Sequence, residues 1–500
     1  MTEQPAPVNP FPWIDHRVAV AWGISVKDAP QPMAYLADSL LLTASEEEAA
    51  RRIEGIRPVA EKAGVGVDLV PLGVRSEREH LAEEWKLHPE AWKIALRRDD
   101  DAPDAFELRK LLIAEGEGEG LSLDHALLCA PYYAGVSYYA GVPYYAGVPY
   151  YAGVGQPSAS YGVPGSGGRA PVALVLPDPA RTAPSRERRP VVVVPDTGLE
   201  HHEWFADPAT ATSKVEVNGH LLGMNGTVPG SAVPQPWSNP LDDAVSPFAG
   251  HGTFIAGLIR QLCPQAVILG IPVMGDDGVV SESCLLATLR SLRTRQWQAL
   301  ADGDPESLID VLSLSLGYYH EKPEDAASDA PLRKVLEDLG RLGVLVVTAA
   351  GNSATTAPMY PAAFAKGPVD PDRLPMACIG ALNPDGTVAY FSNAGPWISD
   401  YRPGAAVVST MPQAREADAE PLDGEAQPLA LHGHAGRTRA TIDPDDFRGG
   451  FAVWSGTSFA APVLAGQLAA RLPDSRDADP DAQRARGWEA LAEELGWARP

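Results

Sequence analysis

Four short segments of the chain carry side chains that could perform nucleophilic and acid–base chemistry. The segments read PDTG (195–198), GHGTFIAG (250–257), AAGNS (349–353) and SGTSFAAP (455–462). Their chemically capable residues are, in chain order, Asp196, His251, Asn352 and Ser458. Because a serine hydroxyl is a weak nucleophile at neutral pH, it needs a base within hydrogen-bonding reach. A histidine elsewhere in the chain can supply that base if the fold brings the two together.

The four residue types complete one reaction scheme, which is acyl transfer. His251 can accept the proton of Ser458 and return it to a leaving group, and Asp196 can fix the imidazole tautomer. The Asn352 amide and the backbone N–H of Ser458 can stabilise a tetrahedral oxyanion. Each residue also has an ordinary structural interpretation, as a turn residue or a helix cap. Their conjunction at predicted element ends favours a catalytic site.

The elements that must position these residues read as buried strands alternating with helices. Apolar runs lie at Val191–Val194, Ala266–Ile271, Val311–Leu316 and Val344–Val347. After His251, apolar residues recur with helical spacing at Ile255, Leu258, Ile259 and Leu262. This alternation predicts an α/β fold with a parallel sheet covered on both faces. Ligands bind beyond the carboxyl ends of such strands, and Asp196 follows one of them.

The four motifs resemble the signature segments of the subtilisin-like serine proteases (subtilases, peptidase family S8), and they occur in that family's chain order. The resemblance covers residues 190–472. It implies a subtilisin-like three-layer fold with a mostly parallel central sheet, and a serine endopeptidase that acts through an acyl-enzyme. Asp196, His251 and Ser458 would form the catalytic triad, and Asn352 would line the oxyanion hole.

Two further segments resemble the family's substrate-binding walls. MGDDGVV (274–280) resembles the edge at which an extended peptide pairs as an added strand, and SLGYY (315–319) resembles a wall of the primary specificity pocket. The residues expected to bind substrate are Gly278, Val279, Val280, Leu316, Gly317, Ala349, Ala350 and Gly351. Because backbone forms most of these walls, we expect no sharp side-chain preference at this pocket.

The chain departs from the family's pattern in two places. The sequence IRQLCPQAVILG (259–270) runs directly from a helix to a strand where relatives often insert a calcium-binding loop. We therefore expect no metal and no other cofactor, although the resemblance leaves calcium open. Residues 413–450 are additional and are predicted to form a surface excursion, with a lid over Ser458 as the alternative.

Residues 1–125 are predicted to form a small α/β domain of ferredoxin-like pattern. Leu40–Thr43 and Val67–Leu72 read as strands, and the helix between them begins at Ser45, the first residue of a capping box. Pro58 is expected to kink this helix or to end it early. The resemblance implies an inhibitory prodomain, and a permanent recognition domain is the alternative.

The remaining segments connect or flank the two domains. Residues 131–154 repeat YYAGV with a period of six, and the region 126–189 reads as a Tyr/Gly/Pro-rich linker. A tyrosine surface for protein partners is the alternative. We expect the peptidase domain over residues 190–472, followed by a tail, 473–500, with an amphipathic docking helix around Asp481–Leu495.

Composition restricts the partners. The chain has 65 acidic and 40 basic residues, a net charge of −25, which argues against a nucleic-acid partner. No signal peptide and no membrane-spanning run are recognised, and the four cysteines lack metal-ligand or disulfide spacing. We therefore expect a cytoplasmic enzyme that acts on polypeptides. Two alternatives stay open: a catalytically silent, subtilase-shaped binding protein, and a processing protease dedicated to one partner that the N-terminal domain or the tyrosine repeat recruits.

Overall fold

The computed structural model describes residues 24–27, 33–74, 87–99, 101–129, 169–175, 177–224, 248–275, 278–320, 331–366, 370–413, 427–428, 438–439 and 447–499. The tyrosine repeat at 131–154 lies outside the described residues, and so does most of the segment 413–450. The predictions made for these two segments therefore stay predictions.

A small α/β domain precedes the peptidase region. Its elements are β1 (Ile24–Lys27), β2 (Met33–Thr43), α1 (Glu46–Lys62), β3 (Gly66–Pro71), β4 (Ala91–Arg97), α2 (Ala105–Ala114) and β5 (Leu121–Cys129). The antiparallel sheet has the order β5-β2-β4-β3, with β1 added on β2. Helices α1 and α2 bury their apolar residues with those of the sheet in one cluster. The pattern from β2 to β5 is ferredoxin-like, as expected.

Helix α1 confirms the predicted cap and contradicts the predicted break. The Glu48 backbone N–H donates to Ser45 Oγ at 3.3 Å. The helix nevertheless continues through Pro58, so the expected early end is wrong. Pro58 lies on the exposed side of the helix, whereas Ile56 and Ala60 are buried. Burial of the apolar face outweighs the single hydrogen bond that proline removes.

The peptidase region is built around a seven-stranded parallel sheet. Its strands and helices are, in chain order, β6 (Ala170–Pro171), β7 (Val191–Asp196), β8 (Ala211–Thr212), β9 (Glu216–Val217), β10 (His220–Leu221), α3 (His251–Leu262), β11 (Val267–Pro272), β12 (Val279–Ser281), α4 (Glu282–Asp302), β13 (Val311–Leu314), β14 (Leu316–Tyr319), α5 (Pro331–Arg341), β15 (Leu345–Ala349), β16 (Met359–Tyr360), β17 (Met376–Leu382), β18 (Asp400–Pro403), β19 (Val407–Thr410), β20 (Gln427–Pro428), β21 (Thr438–Arg439), β22 (Phe451–Trp454), α6 (Thr457–Arg471) and α7 (Pro480–Leu495). The order in the sheet is β18-β17-β15-β13-β7-β11-β8, and every pair is parallel.

Apolar residues on both faces give this sheet two cores. In β7, Val192 and Val194 are buried in one apolar cluster with helices α3 and α6, while Val191 and Val193 are buried in a second cluster with α4 and α5. A strand that is covered on both faces reads as a continuous apolar run, which explains the sequence PVVVV. The helix–sheet–helix arrangement confirms the predicted three-layer α/β fold.

Strand β5 joins the two regions. It pairs antiparallel with β12 on one side, where Val279 is opposite Leu128, and with β14 on the other, where Leu316 is opposite Cys129. The N-terminal sheet thereby continues into β14 and β16 of the peptidase region. The strand runs through Cys129, beyond the domain boundary predicted at residue 125. The end of β5 depends on pairing with strands that are distant in sequence, and the local sequence pattern carries no information on that pairing.

Residues flanking the sheet also join the peptidase core. Strand β6, inside the predicted linker 126–189, pairs with β22 and so belongs to the folded region. The helix expected around Asp481–Leu495 is α7, which buries Trp488 and Leu491 in the same cluster as α6. Among the described residues, no helix is long and apolar enough to cross a membrane.

Candidate active site

Asp196 and His251 are joined by a hydrogen bond at the end of strand β7. Asp196 is the last residue of β7, and His251 is the first residue of helix α3. His251 Nδ1 lies 2.8 Å from Asp196 Oδ1, and both side chains are almost wholly buried. The Thr197 backbone N–H donates to the same carboxylate oxygen at 2.7 Å. A carboxylate that accepts from Nδ1 leaves Nε2 of His251 to act as a base.

Two glycines allow the start of helix α3 to approach the turn after β7. A Cβ at Gly252 would lie 2.3 Å from the Gly198 carbonyl oxygen, so a larger residue does not fit there. Gly198 has a φ of 95°, in the left-handed region that favours glycine. The Gly252 N–H donates to Thr197 Oγ1 at 2.9 Å and ties the two segments together. The glycines of PDTG and GHG therefore set the distance between the carboxylate and the imidazole.

Asn352 is oriented by the residue that precedes Ser458. Its Oδ1 accepts from the Thr457 backbone N–H at 2.8 Å and from Thr457 Oγ1 at 2.9 Å. With the amide oxygen held in this way, Nδ2 faces Gly456, where an added Cβ would lie 3.3 Å from it. The amide nitrogen of Asn352 therefore lies beside the backbone that carries Ser458.

Ser458 lies in the first turn of helix α6, in a segment whose aromatic residues contact the imidazole. Because the helix begins at Thr457, the Ser458 N–H is one of the first-turn amides that lack a partner within the helix. The His251 ring centroid lies 5.3 Å from that of Phe459 and 5.6 Å from that of Trp454. Phe459 follows Ser458 directly and Trp454 lies four positions before it, so their contacts bring the segment that carries Ser458 against the base. All four candidate residues are thus gathered at one place.

A buried asparagine outside the four motifs supports the Asn352 loop. Asn393 Nδ2 donates to the Ala350 carbonyl oxygen at 3.0 Å, and its Oδ1 accepts from the Ser353 N–H at 3.0 Å. Gly351 makes room for this side chain, because a Cβ there would lie 2.3 Å from Asn393 Nδ2. Asn393 therefore holds the loop on both sides of Asn352. In the sequence, Asn393 lies in the segment SNAGPW, where nothing local indicates that this asparagine supports the site.

An arginine from the predicted linker lies behind His251. Arg169 is fully buried, and its Nη1 donates to the carbonyl oxygen of Ala249 at 2.6 Å. Its guanidinium lies 5.1 Å from the centroid of the Trp454 ring, which itself contacts the His251 ring in a T-shaped arrangement. Arg169 thus connects the turn before His251 with the strand that leads to Ser458. Strand pairing of β6 brings it there, so the local pattern gives no sign of it.

Two predicted walls of the substrate cleft pair with β5. The edge Gly278–Val280 pairs through β12 with Leu127 and Leu128 of β5. Leu316 and Gly317 pair through β14 with the same strand. Strand β5 therefore occupies the position that an added peptide strand would take between these two edges.

The end of β5 is connected to Ser458 through β14. Cys129, the last residue of β5, is opposite Leu316 in the antiparallel pairing with β14. The residue before Leu316 is Ser315, whose Oγ donates to the Ser458 carbonyl oxygen at 3.0 Å. The third predicted wall, Ala349–Gly351, is buried at the end of β15. A peptide strand in the place of β5 would therefore lead to Ser458.

Partly buried ion pairs hold the N-terminal domain on helices α4 and α5. Glu90 pairs with Arg290 and Arg293 of α4, the latter with an Nη2–Oε1 distance of 2.9 Å. Asp338 of α5 pairs with His88 Nδ1 and with Arg293 Nη1, each at 2.7 Å. Burial alone would raise the pKa of Asp338, but the hydrogen bonds and charges of His88 and Arg293 lower it below its usual value. The docking surface is therefore charged and internally paired.

Three of the four cysteines are unsuited to act as nucleophiles. Cys263, Cys284 and Cys378 are free and buried. Burial raises the pKa of Cys263 and of Cys284 to about 11 and that of Cys378 to about 12, so they stay thiols at neutral pH. In the part of the chain that the structure describes, no group of three or more His, Cys, Asp or Glu side chains could hold a metal ion.

Comparisons with known proteins bear on the family to which the chain belongs. The model of the subtilase family matches residues 187–485. Subtilisin-like proteinase Mp1 of Magnaporthiopsis poae is 28% identical over 232 residues, which cover 45% of this chain and 50% of that protein. Serine protease AprX of Bacillus subtilis (strain 168) is 25% identical over 308 residues, 58% of each chain. A crystal structure of a cold adapted subtilisin-like serine proteinase aligns over 63% of this chain and 87% of its own, with 19% identity and a TM-score of 0.37.

The matched region contains the central sheet and the candidate site. The chain spans only 50% and 58% of the length of the two curated relatives. The family match at 187–485 nevertheless takes in more than half of this chain and includes Asp196, His251, Asn352 and Ser458. The chain therefore belongs to the subtilase family.

Proposed function

We propose that the chain is a serine endopeptidase that hydrolyses peptide bonds through an acyl-enzyme, with Asp196, His251 and Ser458 as its catalytic triad. Membership of the subtilase family supports serine protease activity in general, with polypeptides as substrates. The observation that carries the residue assignment is the 2.8 Å contact between His251 Nδ1 and Asp196 Oδ1, beside the segment that holds Ser458.

In the proposed reaction, Ser458 Oγ attacks the carbonyl carbon of the scissile bond while His251 Nε2 accepts its proton. The charge that develops on the carbonyl oxygen is stabilised by Asn352 Nδ2 and by the Ser458 backbone N–H. Asp196 keeps the imidazole in the required tautomer and stabilises the imidazolium. His251 then protonates the leaving amine, and a water molecule activated by the same imidazole hydrolyses the acyl-enzyme.

We further propose that the N-terminal domain inhibits the enzyme by occupying its cleft. Two observations support this role: β5 pairs with both substrate edges, and the ion pairs of Glu90 and Asp338 dock the domain beside them. A permanent recognition domain is disfavoured because the domain covers the edges that a substrate needs. A processing protease dedicated to one partner is the alternative that is also compatible with β5 in the cleft. In that case, only a partner able to displace β5 would reach the cleft.

The test compares purified full-length protein with Ser458→Ala by intact-mass spectrometry and casein hydrolysis. We expect wild type to be cut between β5 and Arg169, because this stretch connects the inhibiting domain to the peptidase core. Casein hydrolysis should rise with the cut, while Ser458→Ala stays intact and inactive. Wild type that remains uncut and leaves casein intact, yet cleaves one particular polypeptide, would indicate the dedicated processing protease. Self-cutting of Ser458→Ala at the wild-type rate would contradict the triad.

We also propose that activity needs no metal ion. Helix α3 ends at Leu262 and β11 begins at Val267, so the stretch between them is too short for the inserted calcium loop of many relatives. We expect EDTA to leave the hydrolysis rate and the thermal unfolding midpoint unchanged. A fall in the midpoint that added Ca²⁺ reverses would show that calcium binds elsewhere in the chain.

A further inference from the structure

A histidine of β5 fills a polar slot beside the cleft. His125 is 1% exposed, and its Nδ1 lies 2.7 Å from Oε2 of Glu282, the first residue of helix α4. Its ring stacks on Tyr318 of β14, with ring centroids 4.3 Å apart and planes inclined by 21°. The centroid of the His320 ring lies 5.1 Å away. The slot therefore offers a carboxylate and an aromatic face to the side chain that enters it from the strand in the cleft.

Glu282 is a buried carboxylate whose identified partner comes from the N-terminal domain. It is 1% exposed, its Oε2 is paired with His125, and its Oε1 has no hydrogen-bond partner among the described residues. Burial raises the pKa of Glu282, and the hydrogen bond and charge of His125 offset this only in part. Because a buried carboxylate is costly without an opposite charge, a substrate strand that takes the place of β5 and buries Glu282 again is favoured if it supplies a cation.

Strand geometry relates this slot to the substrate. Val280 of β12 is opposite Leu127, so β5 lies along the edge at which a substrate strand would pair. Leu127 is fully buried in the apolar cluster that also holds Val280 and Leu316. Residues two apart in a strand point to the same side. A substrate in the place of β5 would therefore put one side chain in the apolar site of Leu127, and the side chain two residues before it in the slot of His125.

We propose that Glu282 is a specificity-determining residue of the peptidase, which selects a basic substrate side chain, arginine first, two residues before a large aliphatic one. This inference rests on the proposed function and adds its substrate class. Arginine suits both features of the slot, because its guanidinium forms bidentate bonds to carboxylates and stacks on aromatic faces. Lysine supplies the charge without the planar stack, and a neutral or acidic side chain leaves Glu282 without a counter-charge.

A purely structural role for Glu282 makes a different prediction. An acid at the start of a helix is stabilised by the helix dipole, and Glu282 could serve only to dock the N-terminal domain through His125. In that case the peptidase would be indifferent to the charge of the corresponding substrate residue. Measurements of stability or of inhibition therefore cannot distinguish recognition of substrate from docking of the N-terminal domain. Substrate selectivity can.

The test is a competition between peptides in one reaction with the full-length protein. Each peptide repeats residues 122–129 followed by Ala-Ser-Ala, and the position of His125 is occupied by arginine, citrulline, alanine or glutamate. Citrulline has nearly the shape of arginine without its charge, so this pair isolates the electrostatic contribution. At equal concentrations, the ratio of two rates in one tube equals the ratio of kcat/KM, and it does not depend on the fraction of molecules with an open cleft.

We expect the arginine peptide to be consumed about tenfold faster than the citrulline and alanine peptides, with the glutamate peptide slowest, since charge-assisted bonds to a buried carboxylate have this magnitude. In Glu282→Gln the arginine-to-citrulline ratio should fall to about one, because the charge is gone. A shorter peptide that begins at residue 126 does not reach the slot. In a competition between this peptide and a version with alanine at the position of Leu127, wild type and Glu282→Gln should therefore show the same ratio of rates, whatever the fraction of molecules with an open cleft.

Each outcome bears on the inference. Equal consumption of the arginine and citrulline peptides by wild type would overturn it while leaving the peptidase proposal intact, and this result needs no variant to fold. A Glu282→Gln protein that shows the wild-type ratio on the short peptides and keeps the full preference for arginine would overturn it as well. If wild type is labelled by a fluorophosphonate on Ser458 but cleaves none of the peptides, the inference fails and the peptidase proposal stands. If wild type is not labelled, both fail.

Discussion

Two buried histidine–carboxylate pairs lie along the cleft, and they differ in what they join. The nitrogen–oxygen distance is 2.8 Å in Asp196–His251 and 2.7 Å in Glu282–His125. None of the four side chains is more than 3% exposed. The first pair joins strand β7 to helix α3 within the peptidase region, whereas the second joins helix α4 to β5 of the N-terminal domain.

The difference indicates that a buried histidine–carboxylate hydrogen bond acquires its function from the groups that face the imidazole. The His251 ring packs against Trp454 and Phe459, which lie in the segment that carries Ser458, so the proposed proton transfer joins neighbouring segments. The His125 ring stacks on Tyr318, so the carboxylate behind it can serve to recognise a charge. We propose that the same kind of bond supports catalysis in one place and recognition in the other.

The largest difference between the two pairs is expected in kcat when the carboxylate of each pair is neutralised in turn. We predict that Asp196→Asn lowers kcat on a peptide too short to reach Glu282 by about 10⁴, because the asparagine holds the wrong tautomer of His251. The matched change Glu282→Gln should leave kcat on the same peptide, per titrated active site, within about twofold. Similar losses in the two variants would erase the distinction between the pairs.

Asn352, the proposed oxyanion donor, is expected to act with the Asp196–His251 pair and not with the Glu282–His125 pair. We predict that Asn352→Ala lowers kcat by about 10² to 10³ and changes KM little, because the donor acts on charge that develops in the transition state. The control is Asn218→Ala, at an exposed asparagine outside the cleft, which should leave kcat unchanged. Steady-state hydrolysis of one peptide by both variants provides the measurement. A rise in KM at constant kcat would assign Asn352 to ground-state binding.

In our proposal, docking of the N-terminal domain controls access to the cleft and to the second pair. We predict that Glu90→Ala raises the initial rate of peptide hydrolysis by the full-length protein about tenfold, because it leaves Arg290 and Arg293 without this counter-charge and weakens the interface. The control is Glu107→Ala, which removes an exposed pair with Lys110 of little energetic value. Unchanged initial rates in Glu90→Ala would show that β5 leaves the cleft without release of this ion pair.

Asp338 should make the same docking sensitive to acid. Its pKa is lowered in the folded protein, so its contribution to the free energy of unfolding is present above its unfolded pKa of about 4 and is lost as the pH falls through the lowered value. In a Ser458→Ala background, Asp338→Asn should cost about 1 kcal/mol at neutral pH and progressively less toward about pH 3. Urea unfolding at a series of pH values measures this difference, and a cost independent of pH would contradict the assigned cause.

Local sequence pattern predicts the peptidase core well, for a physical reason. Each candidate residue lies at an element end that the pattern marks: a run of valines ends at Asp196, and glycines precede the helices that begin at His251 and Thr457. Strand periodicity and turn residues are local properties, and the parallel sheet brings the strand ends together. The fold class and the four site residues therefore follow from short segments.

The features that could not be predicted depend on contacts between distant parts of the chain. Glu282 reads as an ordinary acid at a helix start, and its partner His125 lies 157 positions earlier. Arg169 contacts Ala249, 80 positions later, from within a segment that reads as a linker. Strand β5 inserts between β12 and β14 because the backbone groups on the edges of these two strands need hydrogen-bond partners. The local sequence pattern does not reveal this insertion.

Labelling with a fluorophosphonate, followed by peptide mapping, tests most directly whether the first pair serves catalysis and the second does not. We predict a single adduct, on Ser458, that forms in wild type and at least as fast in Glu282→Gln, but orders of magnitude more slowly in Asp196→Asn. An adduct on a different serine, or labelling of Asp196→Asn at the wild-type rate, would contradict the assignment.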